Sequence, residues 1–255
     1  NGQQVIALAY GNPDVSLAKQ LAPSELRNYY AFGKSQLEAA LGRAVRSEPN
    51  GGWSTGKSGL SNPLRKAYSD NRKALTKLSR VVDDPELIIV RAQLAKLLSP
   101  KLDKDSREFF SYSARSAVDE LVSKLRINSG RYQITTTNVN LPVTVINEFD
   151  SDITVNILMM PNNSRVLVNS FENVSIPARS KKQLEMGVSV NAPGETTVLV
   201  LITDSEGNGI VPEAALTLNS TVIDSRVTWF TTGAAILLLL AAVAQSFRRV
   251  RRRVE

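Results

Sequence analysis

The most specific chemical signature in this sequence is a short glycine-rich stretch. Residues 51–58, GGWSTGKS, match the phosphate-binding pattern G-x-x-x-x-G-K-[ST]. The defining positions are Gly51, Gly56, Lys57 and Ser58. The pattern binds a nucleotide when a buried strand leads into the loop and a helix leaves it, so that backbone N–H groups face the phosphates. Here charged residues precede the loop, and the next helix start signal, Asn62-Pro63, comes four residues too late. We therefore expect a Gly/Ser linker at residues 50–61 and no bound nucleotide.

Few other residue types are available for catalysis. The 255-residue chain contains no His and no Cys, which excludes Ser-His-Asp and Cys-His nucleophile systems and thiolate or imidazole metal sites. Tyr10 and Asp14 follow an apolar strand, VIALAY, at the end where α/β barrels place their active sites. They are candidates for a glycan site, but a glycosidase needs a pair of carboxylates and this stretch offers one. Asp14 is more simply a first-turn carboxylate that complements a helix dipole. We predict no cofactor and no metal.

The net charge of +7 is concentrated at the C-terminus. Residues 248–255, RRVRRRVE, carry five Arg and one Glu, which accounts for four of the seven net charges. A nucleic-acid-binding protein would spread basic and aromatic side chains over a folded face. We therefore expect no nucleic-acid partner.

An uncharged segment next to this tail predicts a transmembrane helix. Val227–Phe247, VTWFTTGAAILLLLAAVAQSF, has 21 residues without a charge between Arg226 and Arg248. A helix of that length measures about 31 Å, which matches the hydrocarbon core of a bilayer. Because positively charged flanks stay cytoplasmic, the segment predicts a single-pass plasma-membrane protein with its N-terminus outside and its C-terminus in the cytoplasm.

Residues of this segment are also candidates for partner and membrane contact. The aromatic pair near one end favours the membrane interface, the small residues would let another helix approach closely, and the arginines favour anionic lipids. These candidates are Trp229, Phe230, Gly233, Ala234, Leu237, Ala241, Arg248, Arg249 and Arg251. A lone anchor among lipids would tolerate the same composition, so a helix partner is one of two alternatives.

The remainder of the chain predicts an α+β multidomain fold outside the membrane. An apolar strand, a turn, a helix capped by Asn12 and a helix over 24–41 predict part of an α/β, barrel-like domain. Three apolar stripes at helical spacing follow, with Asp105–Glu108 as a capping box for the third. The aromatic cluster Phe109, Phe110 and Tyr112 is a candidate for ligand binding, but we expect it to pack in a core.

Short alternating stretches with turn signals between them then predict an immunoglobulin-like β-sandwich. The predicted divisions are an α/β remnant at 1–49, the linker at 50–61, a helical region at 62–128, the sandwich at 129–225, the transmembrane helix at 226–247 and the tail at 248–255.

Several of these features together resemble one protein family. The strand and turn AYGNPD, the Pro-containing strand NLPVTVINEF, the terminal span and the Arg-rich tail are similar to the C-terminal part of an actinobacterial family of membrane-anchored envelope proteins. Its members have no known function and are often encoded beside the lipid II flippase. The resemblance implies a role in the cell envelope near the export of peptidoglycan precursors, and it supplies no catalytic residue.

Two functions follow as hypotheses. In the first, the chain is a non-enzymatic, membrane-anchored scaffold or accessory subunit that contacts lipids and a polytopic membrane protein such as the lipid II flippase. The alternative is a glycan-binding or glycan-cleaving envelope protein whose site lies in the incomplete α/β domain. A nucleotide function would require both a strand ahead of Gly51 and a cytoplasmic location.

Overall fold

The computed structural model describes residues 5–47, 52–221 and 232–243. The helices in these ranges are α1 (Val15–Leu21), α2 (Pro23–Leu41), α3 (Asn62–Leu78), α4 (Pro85–Gln93), α5 (Lys104–Ser123) and α6 (residues 232–243), and a 3-10 helix covers Leu94–Leu98. The strands are β1 (Ile6–Ala7), β2 (Arg46–Ser47), β3 (Leu125–Ile127), β4 (Gly130–Ile134), β5 (Asn138–Asn147), β6 (Ile153–Pro161), β7 (Val166–Val168), β8 (Phe171–Ile176), β9 (Ser180–Val190), β10 (Gly194–Thr203) and β11 (Ala214–Ser220).

The N-terminal part is a small strand and helix unit. β1 and β2 pair in parallel, and α1 and α2 connect them. Gly33 allows α2 to lie directly on the chain that follows β1, because a Cβ atom at this position would lie 2.2 Å from the Leu8 carbonyl oxygen.

Two predicted helix starts are wrong. Asp14, not Asn12, caps α1, because Gly11 and Asn12 have positive φ angles of 76° and 46° and form a turn before the helix. Asp103 caps α5 through a hydrogen bond from the Ser106 backbone N–H (2.9 Å), so the helix begins ahead of the predicted Asp105 capping box.

The C-terminal half confirms the predicted β-sandwich. One sheet has the strand order β4-β11-β10-β6-β8 and the other β3-β5-β9-β7. All neighbours are antiparallel except β4 and β11, which pair in parallel from Gly130 opposite Leu216 to Ile134 opposite Ser220. Burial alternates along β10, as expected for a strand with one face turned inward. The first sandwich strand begins at Leu125, four residues before the predicted boundary at 129.

The helices and the sandwich share one hydrophobic core. Buried side chains form a single cluster that runs from Leu17 in α1, through Leu75 in α3 and Leu121 in α5, to Val145 and Leu216 in the two sheets. The part of the chain described up to residue 221 is therefore an α+β structure whose helical layer packs against the sandwich.

Candidate functional site

Helix α6 differs from every other described helix in its exposure. Except for the half-buried Gly233, all of its residues are exposed. Leu237, Leu238, Leu239 and Leu240 have exposed fractions of 69%, 72%, 67% and 58%. A helix that is apolar on all sides normally lies inside a protein or a membrane. In the described parts of the chain, no helix has the combination of length and apolar character needed to cross a bilayer.

The described helix contains four of the predicted contact residues. Gly233, Leu237 and Ala241 follow each other at intervals of four residues and therefore share one face of α6, with Ala234 beside them. A Cβ atom built on Gly233 would meet nothing within 4 Å. The other predicted contacts, Trp229, Phe230, Arg248, Arg249 and Arg251, lie outside the described residues.

Asp14, one of the two glycan-site candidates, has a structural role. It is buried, with 7% of its surface exposed. Its Oδ1 accepts a hydrogen bond from the Leu17 backbone N–H (3.1 Å), and its Oδ2 accepts one from the Ser58 backbone N–H (2.9 Å). Both carboxylate oxygens thus have backbone donors from the protein itself.

Tyr10, the other candidate, is half-buried in an aromatic and cationic contact. Its ring packs edge-on against Phe32, with 4.9 Å between the ring centroids, and the Lys96 ammonium lies 5.4 Å from its centroid. The structure places Tyr10 and Asp14 in the same N-terminal unit, but it gives them different neighbours.

The GKS segment is arranged differently from a nucleotide-binding loop. Gly51 lies outside the described residues, Gly56 and Lys57 are exposed, and Ser58 is buried. A strand does precede the segment, but β2 has only two residues, and α3 begins four residues after Ser58. The Ser58 N–H already has the Asp14 carboxylate as its acceptor. The backbone donor expected to face a phosphate therefore points at a carboxylate.

The predicted core position of the aromatic cluster on α5 is wrong. Phe109, Phe110 and Tyr112 have exposed fractions of 66%, 37% and 77%. The first half of α5 instead turns Arg107 and Ser111 inward, with exposed fractions of 5% and 6%. Arg107 donates from Nη2 to the carbonyl oxygens of Ser99 (3.0 Å) and Leu102 (2.7 Å), which fixes this face of the helix.

An ionic contact attaches the helical layer to the sandwich, and another lies within the helical layer. Arg80, just after α3, donates from Nη1 to Asp204 Oδ2 in the β10–β11 connection (2.8 Å). Lys124 at the end of α5 forms an ion pair with Glu86 of α4. Burial opposes the ionisation of Asp204, but hydrogen bonds from the side chain and backbone of Asn208 and from Arg80 outweigh it and lower the pKa of Asp204 to about 2.

A buried tyrosine pair lies among the helices, and no local sequence pattern predicts it. The hydroxyl oxygens of Tyr29 in α2 and Tyr68 in α3 are 2.7 Å apart, and both residues are fully buried. Burial raises the pKa of Tyr29 well above its usual range, and it raises the pKa of Tyr68 to about 12. Both hydroxyls therefore stay protonated at neutral pH. Within the described ranges, no group of three acidic residues is placed to hold a metal ion.

Comparisons with known proteins give partial structural likenesses. A nematode protein described as "WR4, a C. elegans MSP family member" is 14% identical with a TM-score of 0.29, over 38% of this chain and 98% of that chain. The "ASH / PapD-like domain of human CEP192" is 9% identical with a TM-score of 0.30, over 40% of this chain and 87% of that chain. The "CARDB domain of PF1109 from Pyrococcus furiosus" is 13% identical with a TM-score of 0.29, over 38% and 92%.

The sequence comparisons are more decisive. A search among curated proteins gave no match. The model of a family of unknown function, DUF6049, matches residues 31–253, which include both sheets of the sandwich, helices α3 to α6 and most of α2. With most of its length matched, the chain belongs to the family of unknown function DUF6049.

Proposed function

We propose that this protein is a non-enzymatic, membrane-anchored scaffold or accessory subunit of a cell-envelope complex that exports or assembles peptidoglycan precursors. The observation that carries the proposal is the exposure of the apolar helix α6, whose four consecutive leucines are each more than half exposed. Water is an unfavourable surrounding for such a surface, whereas lipid or another apolar helix is a favourable one.

The proposed anchor extends α6 in both directions. Residues 232–243 would occupy about 18 Å along a helix axis, and the uncharged segment Val227–Phe247 would occupy about 31 Å, enough to cross a bilayer. The five Arg of residues 248–255 favour a cytoplasmic C-terminus in this proposal. In this arrangement the sandwich and the helical layer lie outside the cytoplasm.

The finer organisation is part of the same proposal. The unit of β1, β2, α1 and α2 is the end of an α/β, barrel-like domain, and the sandwich is an immunoglobulin-like domain that separates it from the membrane. In support, β1 and β2 pair in parallel with helices between them, as in an α/β domain. The sandwich has a parallel pair of strands in an otherwise antiparallel structure.

We further propose that one face of α6 contacts a polytopic membrane protein, such as the lipid II flippase. Gly233, Leu237 and Ala241 share this face, and the small residues at its two ends would let a partner helix approach closely. Leu239 lies on the opposite side of the helix, so it serves as a matched position that would face lipid.

Site-specific photo-crosslinking in native membranes tests this proposal. A photoreactive phenylalanine analogue is placed at Leu237 in one variant and at Leu239 in the other, and crosslinked peptides are identified by mass spectrometry. We expect Leu237 to crosslink to a transmembrane helix of one reproducible polytopic protein and Leu239 to crosslink to lipid. Lipid products from both positions would reduce α6 to an anchor. Release of the full chain by alkaline carbonate would contradict the anchor itself.

A further inference from the structure

We infer that a groove between α3 and α5 is a docking site for an acidic, amphipathic segment of a partner protein. The charge and shape of the groove are independent of the membrane anchor, whereas the choice of a protein segment over a lipid headgroup rests on the proposed function. The groove has a volume of about 640 Å³, and residues Ile210–Pro212 of the β10–β11 connection also line it. It is thus formed jointly by the helical layer and the sandwich.

The floor of the groove is mostly apolar. Ala67 and Ala74 of α3 face Val118 and Val122 of α5 across it. The two alanines leave space between the helices, because a larger side chain at either position would project into the groove. Such a floor favours small or medium-sized apolar side chains of a ligand.

The rim of the groove is positively charged. Lys66, Lys73 and Lys77 line it along α3, at spacings that place them on one face of the helix. Lys66 pairs with Asp70 (2.6 Å), and Arg115 of α5 pairs with Asp119 (3.7 Å).

Lys73 and Lys77 give the rim two positive charges that no acidic residue of the rim balances. Both are exposed, and neither forms a salt bridge with a residue in the described ranges. Two cations beside an apolar floor are complementary to a segment that carries carboxylates next to apolar side chains.

A buried amide in the wall also favours a ligand with acceptor oxygens. Asn71 lies between Ala67 and Ala74 on α3 and is 7% exposed. Its Nδ2 has no hydrogen-bond partner among the residues that the structure describes. Buried donors are normally satisfied, and a ligand whose binding turns the Asn71 amide towards the groove would supply an acceptor from a carboxylate or a peptide carbonyl.

The position of the groove favours a protein segment over a lipid headgroup. Ile210–Pro212 lies just before Ala214, where β11 begins, and β11 then runs to Ser220. This strand spans about 20 Å, so the groove lies at the opposite end of the sandwich from Thr221, after which the chain continues towards α6. A membrane that held α6 would therefore be on the far side of the sandwich from the groove.

Fluorescence anisotropy with the full chain in mild detergent tests the site. The probe is a short, labelled amphipathic peptide with leucine at every third or fourth position and glutamate between them. One comparison peptide replaces each glutamate with lysine, and another replaces each leucine with serine. We expect saturable binding of the first peptide only, with an affinity that falls as salt is added.

Two pairs of substitutions localise the binding. The charge reversal Lys73→Glu with Lys77→Glu should weaken binding by about tenfold or more. The matched reversal Lys101→Glu with Lys104→Glu, at exposed lysines away from the groove, should leave it unchanged. Ala74→Trp, which fills the groove, should weaken binding without reversing any charge. The urea midpoint of each variant verifies that the protein is still folded.

Three results would overturn the inference. Equal binding of the glutamate and lysine peptides would show that charge does not select the ligand. Unchanged binding in the Lys73 and Lys77 double variant would place the peptide elsewhere. No saturable binding of the peptide, together with calorimetric binding of inorganic pyrophosphate or dihexanoyl phosphatidylglycerol, would assign the groove to a phosphate or a lipid headgroup.

Discussion

Arg80 Nη1 lies 2.8 Å from Asp204 Oδ2, which joins the end of α3 to the β10–β11 connection of the sandwich. The Asp204 carboxylate also accepts hydrogen bonds from the backbone N–H groups of Glu206 (3.0 Å) and Asn208 (2.8 Å). The Asp204 side chain thus stabilises its own turn and also contacts the helical layer through Arg80. Residues Ile210–Pro212 of the same connection line the groove that we assign to an acidic segment.

The Asp204 contacts predict acid sensitivity. Because the pKa of about 2 in the folded protein lies below that of an unfolded aspartate, about 3.9, ionised Asp204 stabilises the fold above about pH 4. This contribution is lost as the pH falls towards about 2. Asp204→Asn should lower the urea midpoint at pH 7 and make it fall less between pH 4 and pH 2 than in the wild type.

The exposed Asp83 provides the control for this measurement. It accepts no hydrogen bond from another described residue, so Asp83→Asn should leave the urea midpoint at pH 7 nearly unchanged, whereas Asp204→Asn should lower it. A pH profile of Asp204→Asn that follows the wild type would show that Asp204 has no linked role in stability.

The Tyr29–Tyr68 pair predicts strong coupling between two substitutions. Tyr29→Phe should lower the free energy of unfolding by about 1 to 3 kcal/mol, because the Tyr68 hydroxyl would stay buried without its partner. Tyr68→Phe should cost a similar amount. The double variant should cost less than the sum of the two, by about 1 kcal/mol or more. Urea denaturation of all four proteins measures this difference, and strict additivity would contradict the pairing.

Substitutions of Asp14 and Lys57 should differ in their effect on stability. Asp14→Ala removes the cap of α1 and the acceptor of the Ser58 N–H, so it should destabilise the protein by about 1 to 2 kcal/mol. Lys57→Ala changes an exposed side chain and should alter the free energy of unfolding by no more than about 0.5 kcal/mol.

The thermal midpoint of the wild-type protein should be the same with and without ATP and Mg²⁺. A rise that depends on Lys57 would restore the nucleotide interpretation.

Because the aromatic cluster on α5 is exposed, substitutions in it should have little effect on stability, although the sequence predicts a core position. Phe109→Ser should change the free energy of unfolding by no more than about 0.5 kcal/mol, since the ring is 66% exposed. Leu121→Ala on the same helix removes a side chain that is 1% exposed and should cost about 3 kcal/mol. Similar losses in the two variants would show that Phe109 packs against the protein after all.

The accuracy of the sequence-based predictions depends on whether the signals are local. Pro63 and Pro85 identify the starts of α3 and α4 because proline is favoured in a first helical turn for local steric reasons. The alternation of apolar residues identifies the strands because successive side chains of a strand point to opposite faces of the sheet. The second hydrogen bond of Asp14, which it accepts from the Ser58 N–H, depends on a residue 44 positions away, which no local pattern specifies.

The α5 aromatics show a second limit. Their apolar character suggests burial, but Arg107 fixes the orientation of the helix by donating to two carbonyl oxygens in the preceding loop. Hydrophobicity alone therefore selects the wrong face. No local sequence pattern predicts the basic groove, because its lining combines lysines of α3 with residues more than a hundred positions later in the chain.

The parallel pairing of β4 with β11 has a mechanical consequence. The chain enters β4 at Gly130 from the side of the helical layer and leaves β11 at Ser220 on the opposite side. A tension applied between the helical layer and Thr221 would pull these two strands along their length in opposite directions. Their backbone hydrogen bonds would be loaded together in shear rather than opened one at a time. The sandwich would therefore resist such a tension through all of these hydrogen bonds at once.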